Sequence, residues 1–203
     1  AGKLPAMIYA DFKTMGGMTG KALVENLNGE SAEVVTFPGP AGSGWAESFN
    51  DGFKEALTGS KVKVLGEKFG DTGVAIQLQL IQDALQAYPN MNVIWGSAPT
   101  AEAAIGAVAE AGKQGEIKII SSYENQALLD ALNRGDIMGF ATQFPVLEGR
   151  VAMDQTVRVL EKKPVMPFVK PIPVMISEAN AKDVNMSLVL APADWKPVYS
   201  VKP

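Results

Sequence analysis

Short apolar runs recur along the chain at intervals of about 25 to 30 residues, each followed by an amphipathic stretch. The runs are Ala6 to Ala10, Val34 to Phe37, Val62 to Leu65, Asn92 to Trp95, Ile117 to Ile120 and Ile137 to Thr142, and each reads as a short strand. Helical periodicity fills the intervals, most clearly from Gly73 to Tyr88, where Ile76, Leu80, Ile81, Ala84, Leu85 and Tyr88 share one face until Pro89 ends the helix. Trp45 to Leu57, Ala101 to Ala111, Asn125 to Leu132 and Val146 to Leu160 follow suit, with Gly59, Gly112 and Gly135 where C-caps belong. Repeated strand–helix units with nearly continuous apolar strands predict an α/β fold, a doubly wound, mostly parallel sheet covered by helices on both faces.

The chain of 203 residues contains neither Cys nor His, which excludes thiolate and imidazole metal sites, a Ser-His-Asp triad and a Cys-His dyad. An enzyme on this sheet would need paired acids or a lysine. Asp11, Asp71 and Glu124 follow different strands, and spacing fixes no partner for any of them. No catalytic residue, metal ligand or cofactor motif emerges. A formal charge of −4 with no basic block argues against nucleic acid as a partner. No run approaches the ~18 apolar residues of a membrane helix, so direct membrane insertion is not expected, and Ala1 to Pro5 does not read as a signal peptide.

Ligands of open α/β sheets bind beyond the carboxyl ends of the strands. The candidate ligand-binding residues are therefore Tyr9 and Asp11 at the first strand, Trp45 after the second, Asp71 and Thr72 after the third, Ser97 after the fourth, Tyr123 after the fifth and Gln143 after the sixth. Most have a plainer alternative, for Tyr123 a surface role. Trp45 can pack in the core, Ser97 and Asp71 can cap helices, and Gln143 can serve a hinge. Trp95 at a strand end reads as core. The Gly-rich loop Pro38 to Gly44 is either a flexible turn or a ligand-lining loop. Gly16 to Lys21 lacks the Walker pattern, having Met15 and Ala22 at the positions for Gly and Ser/Thr.

Beyond Leu160, Pro164, Pro167, Pro171 and Pro173 interrupt the pattern, so the segment around Phe168 to Ile176 reads as an edge strand or a crossover. Ser177 to Pro203 reads as a partly ordered tail.

Ile8-Tyr9-Ala10-Asp11 with Gly16-Gly17 and Gly20-Lys21, Pro38-Gly39-Pro40 with Gly52-Phe53, Tyr88-Pro89 before Val93-Ile94, Ala111-Gly112-Lys113, and Phe140 to Pro145 occur in an order that resembles the periplasmic solute-binding family of the ribose-binding type. The resemblance implies a non-enzymatic periplasmic protein of two lobes joined by three crossovers, with Gln143 placing an amide on the ligand. It assigns residues 11–143 and 172–180 to the C-terminal lobe, 1–10 and 144–171 to remnants of an N-terminal lobe otherwise missing, and 181–203 to a tail. Ile8, Val146, Leu147, Val151 and Val157 are then expected to have little covering them.

Phe37 to Pro40, Gly70-Asp71 with Ile76-Gln77, Ala101 to Gly106 and the tail Lys196 to Tyr199 look like members that report trimethylamine N-oxide to the periplasmic sensor domain of a membrane histidine kinase. Sugar binders of the family place Arg and Asp where this chain has Glu47 and Tyr123, and the departure favours a small ligand with little charge held by rings. The alternative is a sugar or small-polyol binding subunit of an ABC transporter.

Overall fold

The computed structural model describes residues 4–192 and 194–200. Strands β1 (Met7–Ile8), β2 (Ala32–Phe37), β3 (Val62–Glu67), β4 (Val93–Gly96), β5 (Lys118–Ser121) and β6 (Gly139–Thr142) alternate with helices α1 (Phe12–Leu27), α2 (Trp45–Ala56), α3 (Val74–Ala87), α4 (Ala98–Glu110), α5 (Gln126–Arg134) and α6 (Pro145–Leu160), followed by β7 (Phe168–Val169) and β8 (Val174–Ile176). The main sheet has the order β3-β2-β4-β5-β6-β8; it is parallel except for the antiparallel pairing of β8 with β6. The predicted doubly wound α/β sheet is present.

Alternation along the buried strands sorts the core onto two faces. Val34, Val93, Trp95 and Ile120 point toward α1 and α2, meeting Leu23, Phe49 and Phe53. Val35, Phe37, Ile94, Ile119 and Phe140 point the other way, to Ile81, Ala104, Leu128 and Leu132 of α3, α4 and α5. Trp95 is fully buried, stacked on Phe53 at 4.5 Å, and its indole N–H donates to Thr19 Oγ1. This agrees with its expected core role.

The proline-interrupted segment behaves as both expected alternatives. β7 pairs with β1 in a separate two-stranded ribbon, and the chain then crosses to form the edge strand β8. The first strand is shorter than the run Ala6 to Ala10 suggests, because β7 offers only two residues before the next proline.

A second correction concerns α3. Ile76, expected on the buried face, is exposed, and the fully buried position next to it belongs to Gln77. Its amide donates to Asp71 O and accepts from Thr100 Oγ1, so a polar side chain sits in the core at no cost in unmet hydrogen bonds.

Around β1, α6 and β7 the apolar residues are poorly covered. Met153, Val157, Leu160, Phe168 and Ile172 are exposed, and Ile8, Val146, Leu147 and Val151 are half-buried. Gln155 is the one buried side chain that α6 contributes among the described residues. After β8 the chain does not leave the domain at once. A 3₁₀ turn at Met186–Leu188 brings Val189 to 1% exposure against the core.

Candidate functional site

The order of the sheet reverses between β2, which continues outward to β3, and β4, which continues the other way. Crevices form at the carboxyl ends of strands around such a point. A cavity of about 530 Å³ opens beside the residues that follow β1, β2, β5 and β6, lined among others by Phe12, Met15, Trp45, Phe49, Tyr123, Glu124, Gln143 and Glu148.

Its rings form one connected cluster. Trp45 meets Phe49 edge-on at 6.3 Å and Tyr123 edge-on at 6.4 Å, Phe49 lies 5.9 Å from Tyr123, and Phe12 lies 5.1 Å from Phe49. Local structure holds Trp45 in place. A side chain at Gly39, whose φ is +126°, would run into the Trp45 ring, so the indole lies against bare backbone. Glu47 closes the Gly-rich loop by accepting from Gly42 N at 2.5 Å and Gly44 N at 2.7 Å. These hydrogen bonds, that to Gly42 first, hold the Glu47 carboxyl below its ordinary pKa. Two of the loop N–H groups that were candidates for a ligand, those of Gly42 and Gly44, are thus occupied by the chain itself, and the closed loop holds Trp45 at the cavity.

Of the expected site residues, the structure brings Trp45, Tyr123 and Gln143 to the cavity wall. Burial raises the Tyr123 phenol, with the Ser97 hydroxyl and the Ala98 backbone opposing the shift. Ser97 is therefore behind the phenol, and its own hydroxyl caps α4 by accepting from Thr100 N. Asp71 and Thr72 lie on the β3–α3 turn outside the cavity, where Asp71 Oδ1 accepts from Thr72 N. Asp11 caps α1 through Thr14 and forms an ion pair with Lys170. Burial acts to raise its pKa, but the Lys170 and Thr14 contacts outweigh it and leave the carboxyl below its ordinary value. Tyr9 is half exposed, tilted against Phe168 with Lys170 over its ring.

Gln143 joins the crossovers. Its Oε1 accepts from Asp11 N at 2.6 Å, and its Nε2 donates to Tyr9 O at 2.9 Å and to Pro171 O at 2.7 Å. Both amide hydrogens are on backbone carbonyls, which leaves one acceptor lone pair for anything in the cavity. Its expected alternative role at the hinge accounts for these contacts.

Two carboxyl groups complete the wall. Thr142 Oγ1 donates to Glu124 Oε1 at 2.9 Å while accepting from Phe144 N. Burial pushes the Glu124 pKa up to about 7, with a further rise from the charge of Glu148 and opposition from its own backbone N–H and Thr142. Glu148, in the first turn of α6, is also raised by burial, and its Oε1 is buried without a hydrogen-bond partner among the described residues. Among the described residues no lysine or arginine lines the cavity. Sequence reading noticed Glu124 without a partner and missed Glu148, Phe12 and Phe49. Glu124 follows Tyr123 directly and was within reach of the strand-end rule, whereas Glu148 joins it only through the packing of α6.

Residues 5–164 match the family described as the periplasmic binding protein domain. The periplasmic protein TorT of Escherichia coli K12 is 30% identical over 185 residues, which are 91% of this chain and 54% of that protein. A crystal structure of an ABC transporter solute binding protein from Bradyrhizobium sp. BTAi1 with bound Bis-Tris is 39% identical, with a TM-score of 0.87 over 97% of this chain and 60% of that one. The TorS sensor domain–TorT complex without ligand matches with a TM-score of 0.90 at 25% identity, covering 96% of this chain and 66% of that one. The chain spans about half the length of the curated relatives it matches. With a ring-lined cavity at the carboxyl ends of the strands of a doubly wound sheet, and with most of its length matched to one family, the chain belongs to the type I periplasmic binding proteins and is similar to TorT.

Proposed function

We propose that this protein encloses a small ligand bearing an alkylated nitrogen, trimethylamine N-oxide being the candidate suggested by the likeness to TorT, and that the sensor domain of a membrane histidine kinase in the periplasm reads its occupancy. The observation that carries this is the cluster of Trp45, Phe49 and Tyr123 on the cavity wall. Aromatic faces attract alkylated cationic nitrogen at ~0.5–2 kcal/mol per ring when water is excluded. Ligand favours a closed form only through contacts that form better there, so a second lobe has to complete the site. In this reading residues 11–143 and 172–180 form the C-terminal lobe, and 1–10 and 144–171 belong to the N-terminal lobe. Residues 181–203 form a tail that returns Val189 to Ala191 to the cavity. The poorly covered face of β1, α6 and β7 supports that division.

A second reading, the binding subunit of an ABC transporter for a small polyol or sugar, is favoured by the likeness to the Bradyrhizobium transporter protein, whose bound Bis-Tris is a hydroxylated tertiary amine. Calorimetry on the complete natural protein separates the two. Trimethylamine N-oxide is expected to bind and pentoses are not, and Trp45→Ala should weaken binding by roughly 1–3 kcal/mol. Pentose binding in the absence of any response to trimethylamine N-oxide would overturn the first reading.

A further inference from the structure

We infer that the cavity selects its ligand by positive charge, Glu124 and Glu148 acting together with the ring cluster to hold an organic cation, a quaternary or protonated amine. The inference rests on the reading of this cavity as the site for an alkylated nitrogen and departs from trimethylamine N-oxide, which carries no net charge at neutral pH, in favour of a cation of the same shape. The wall is unbalanced in two ways. Among the described residues it has carboxylates and no basic side chain, and its side-chain donors are few, the Trp45 indole N–H and the Tyr123 hydroxyl, since both Gln143 amide hydrogens are on backbone carbonyls. A sugar presents several hydroxyls that both donate and accept, and it needs more protein donors than the two that this wall offers. An alkylated ammonium needs none.

The unpartnered Glu148 Oε1 is the second sign. A buried carboxylate oxygen without a donor is costly, and although that oxygen is itself out of contact reach, a cation in the cavity that Glu148 lines lowers the cost through space. The groups facing Glu124 are all neutral or anionic: Glu148 from α6, the Thr142 hydroxyl from β6, the raised Tyr123 phenol from its own loop, and Phe12, Met15, Trp45 and Phe49 from α1 and α2. Among the described residues at the cavity nothing neutralises the carboxylates except protons. With a pKa pushed up to about 7, Glu124 is partly protonated at neutral pH. A cation competes with that proton, so its affinity rises with pH as Glu124 ionises.

Choline and 3,3-dimethylbutan-1-ol have the same shape and differ in charge. In phosphate buffer at pH 7.5, with the complete natural protein, choline is expected to bind at least tenfold more tightly than the alcohol, and several-fold more tightly at pH 8 than at pH 6. Glu124→Gln should reduce the preference and flatten the pH dependence, and Glu148→Gln should reduce the preference independently. Equal affinity for the two probes, or a preference that survives both substitutions, overturns charge selection. If trimethylamine N-oxide then still binds, the ligand site stands and only this inference falls. A protein that binds pentoses and neither choline nor trimethylamine N-oxide loses both the inference and the reading beneath it.

Discussion

Glu124 shows how strongly one position depends on its surroundings. Its carboxyl goes from an ordinary 4.5 to about 7 because folding removes it from water beside Glu148. A raised pKa means that the folded state binds more protons between these values, so the associated stability is fully present below about 4.5 and is lost as pH rises through about 7. The full difference is of order 3 kcal/mol. Urea unfolding of Glu124→Gln should therefore lack a loss of stability that the natural chain shows between pH 5 and pH 8, and parallel curves for the two proteins would contradict the assignment. Gln143 is the opposite case, a polar side chain whose partners are all backbone groups. Gln143→Leu removes three hydrogen bonds among the crossovers, each worth about 0.5–1.5 kcal/mol net, and should cost about 2–3 kcal/mol in the same measurement.

At the scale of elements, α1 and α2 approach so closely that glycine is needed at their crossing. A Cβ on Gly16 would lie 2.0 Å from Phe49 O, and one on Gly52 would lie 2.0 Å from Lys13 O. Those obstacles are backbone and cannot rotate away. Gly→Ala inside a helix normally gains up to ~1 kcal/mol, whereas overpacking costs about 1–3 kcal/mol or more. Gly52→Ala should lower the thermal midpoint by several degrees, while Gly106→Ala on α4, where a Cβ meets nothing within 4 Å, should leave it unchanged or raise it. A raised midpoint for both would show that the helices can separate at no cost. The run Gly16 to Lys21 thus has a packing explanation, consistent with its failure as a phosphate loop. The close crossing also places Phe12 and Phe49 in contact at the cavity, a ring pair that neither helix's periodicity announces.

For the whole molecule, the contrast between the sheet and the β1, α6 and β7 region is the main feature. β4 is buried throughout, while α6 buries only Gln155 among the described residues. Exposed apolar surface of this kind drives association. The 203-residue chain alone should self-associate in sedimentation experiments, and amides of residues 146–160 should exchange much faster than those of 93–96. Equal protection of the two segments in a monomer would remove the proposed division into lobes.

Periodicity alone was enough to place β1 to β6 and α2 to α6, because the apolar spacing of a βα unit is local and each unit repeats it. The strand-end rule likewise led to Trp45, Tyr123 and Gln143, since a doubly wound sheet always opens at the same end. It could not separate these from Asp71, Thr72, Tyr9 and Asp11, which follow strands equally well but turn to caps, turns and an ion pair. Only the tertiary structure made that choice. It also buried Gln77 in place of Ile76, where hydrogen bonds to Asp71 and Thr100 were available, and set Glu148 of α6 beside Glu124 of the β5–α5 loop. Contacts between elements distant in the chain have no spacing to betray them; they exist once the helices pack, and the charge of this cavity is a property of that packing.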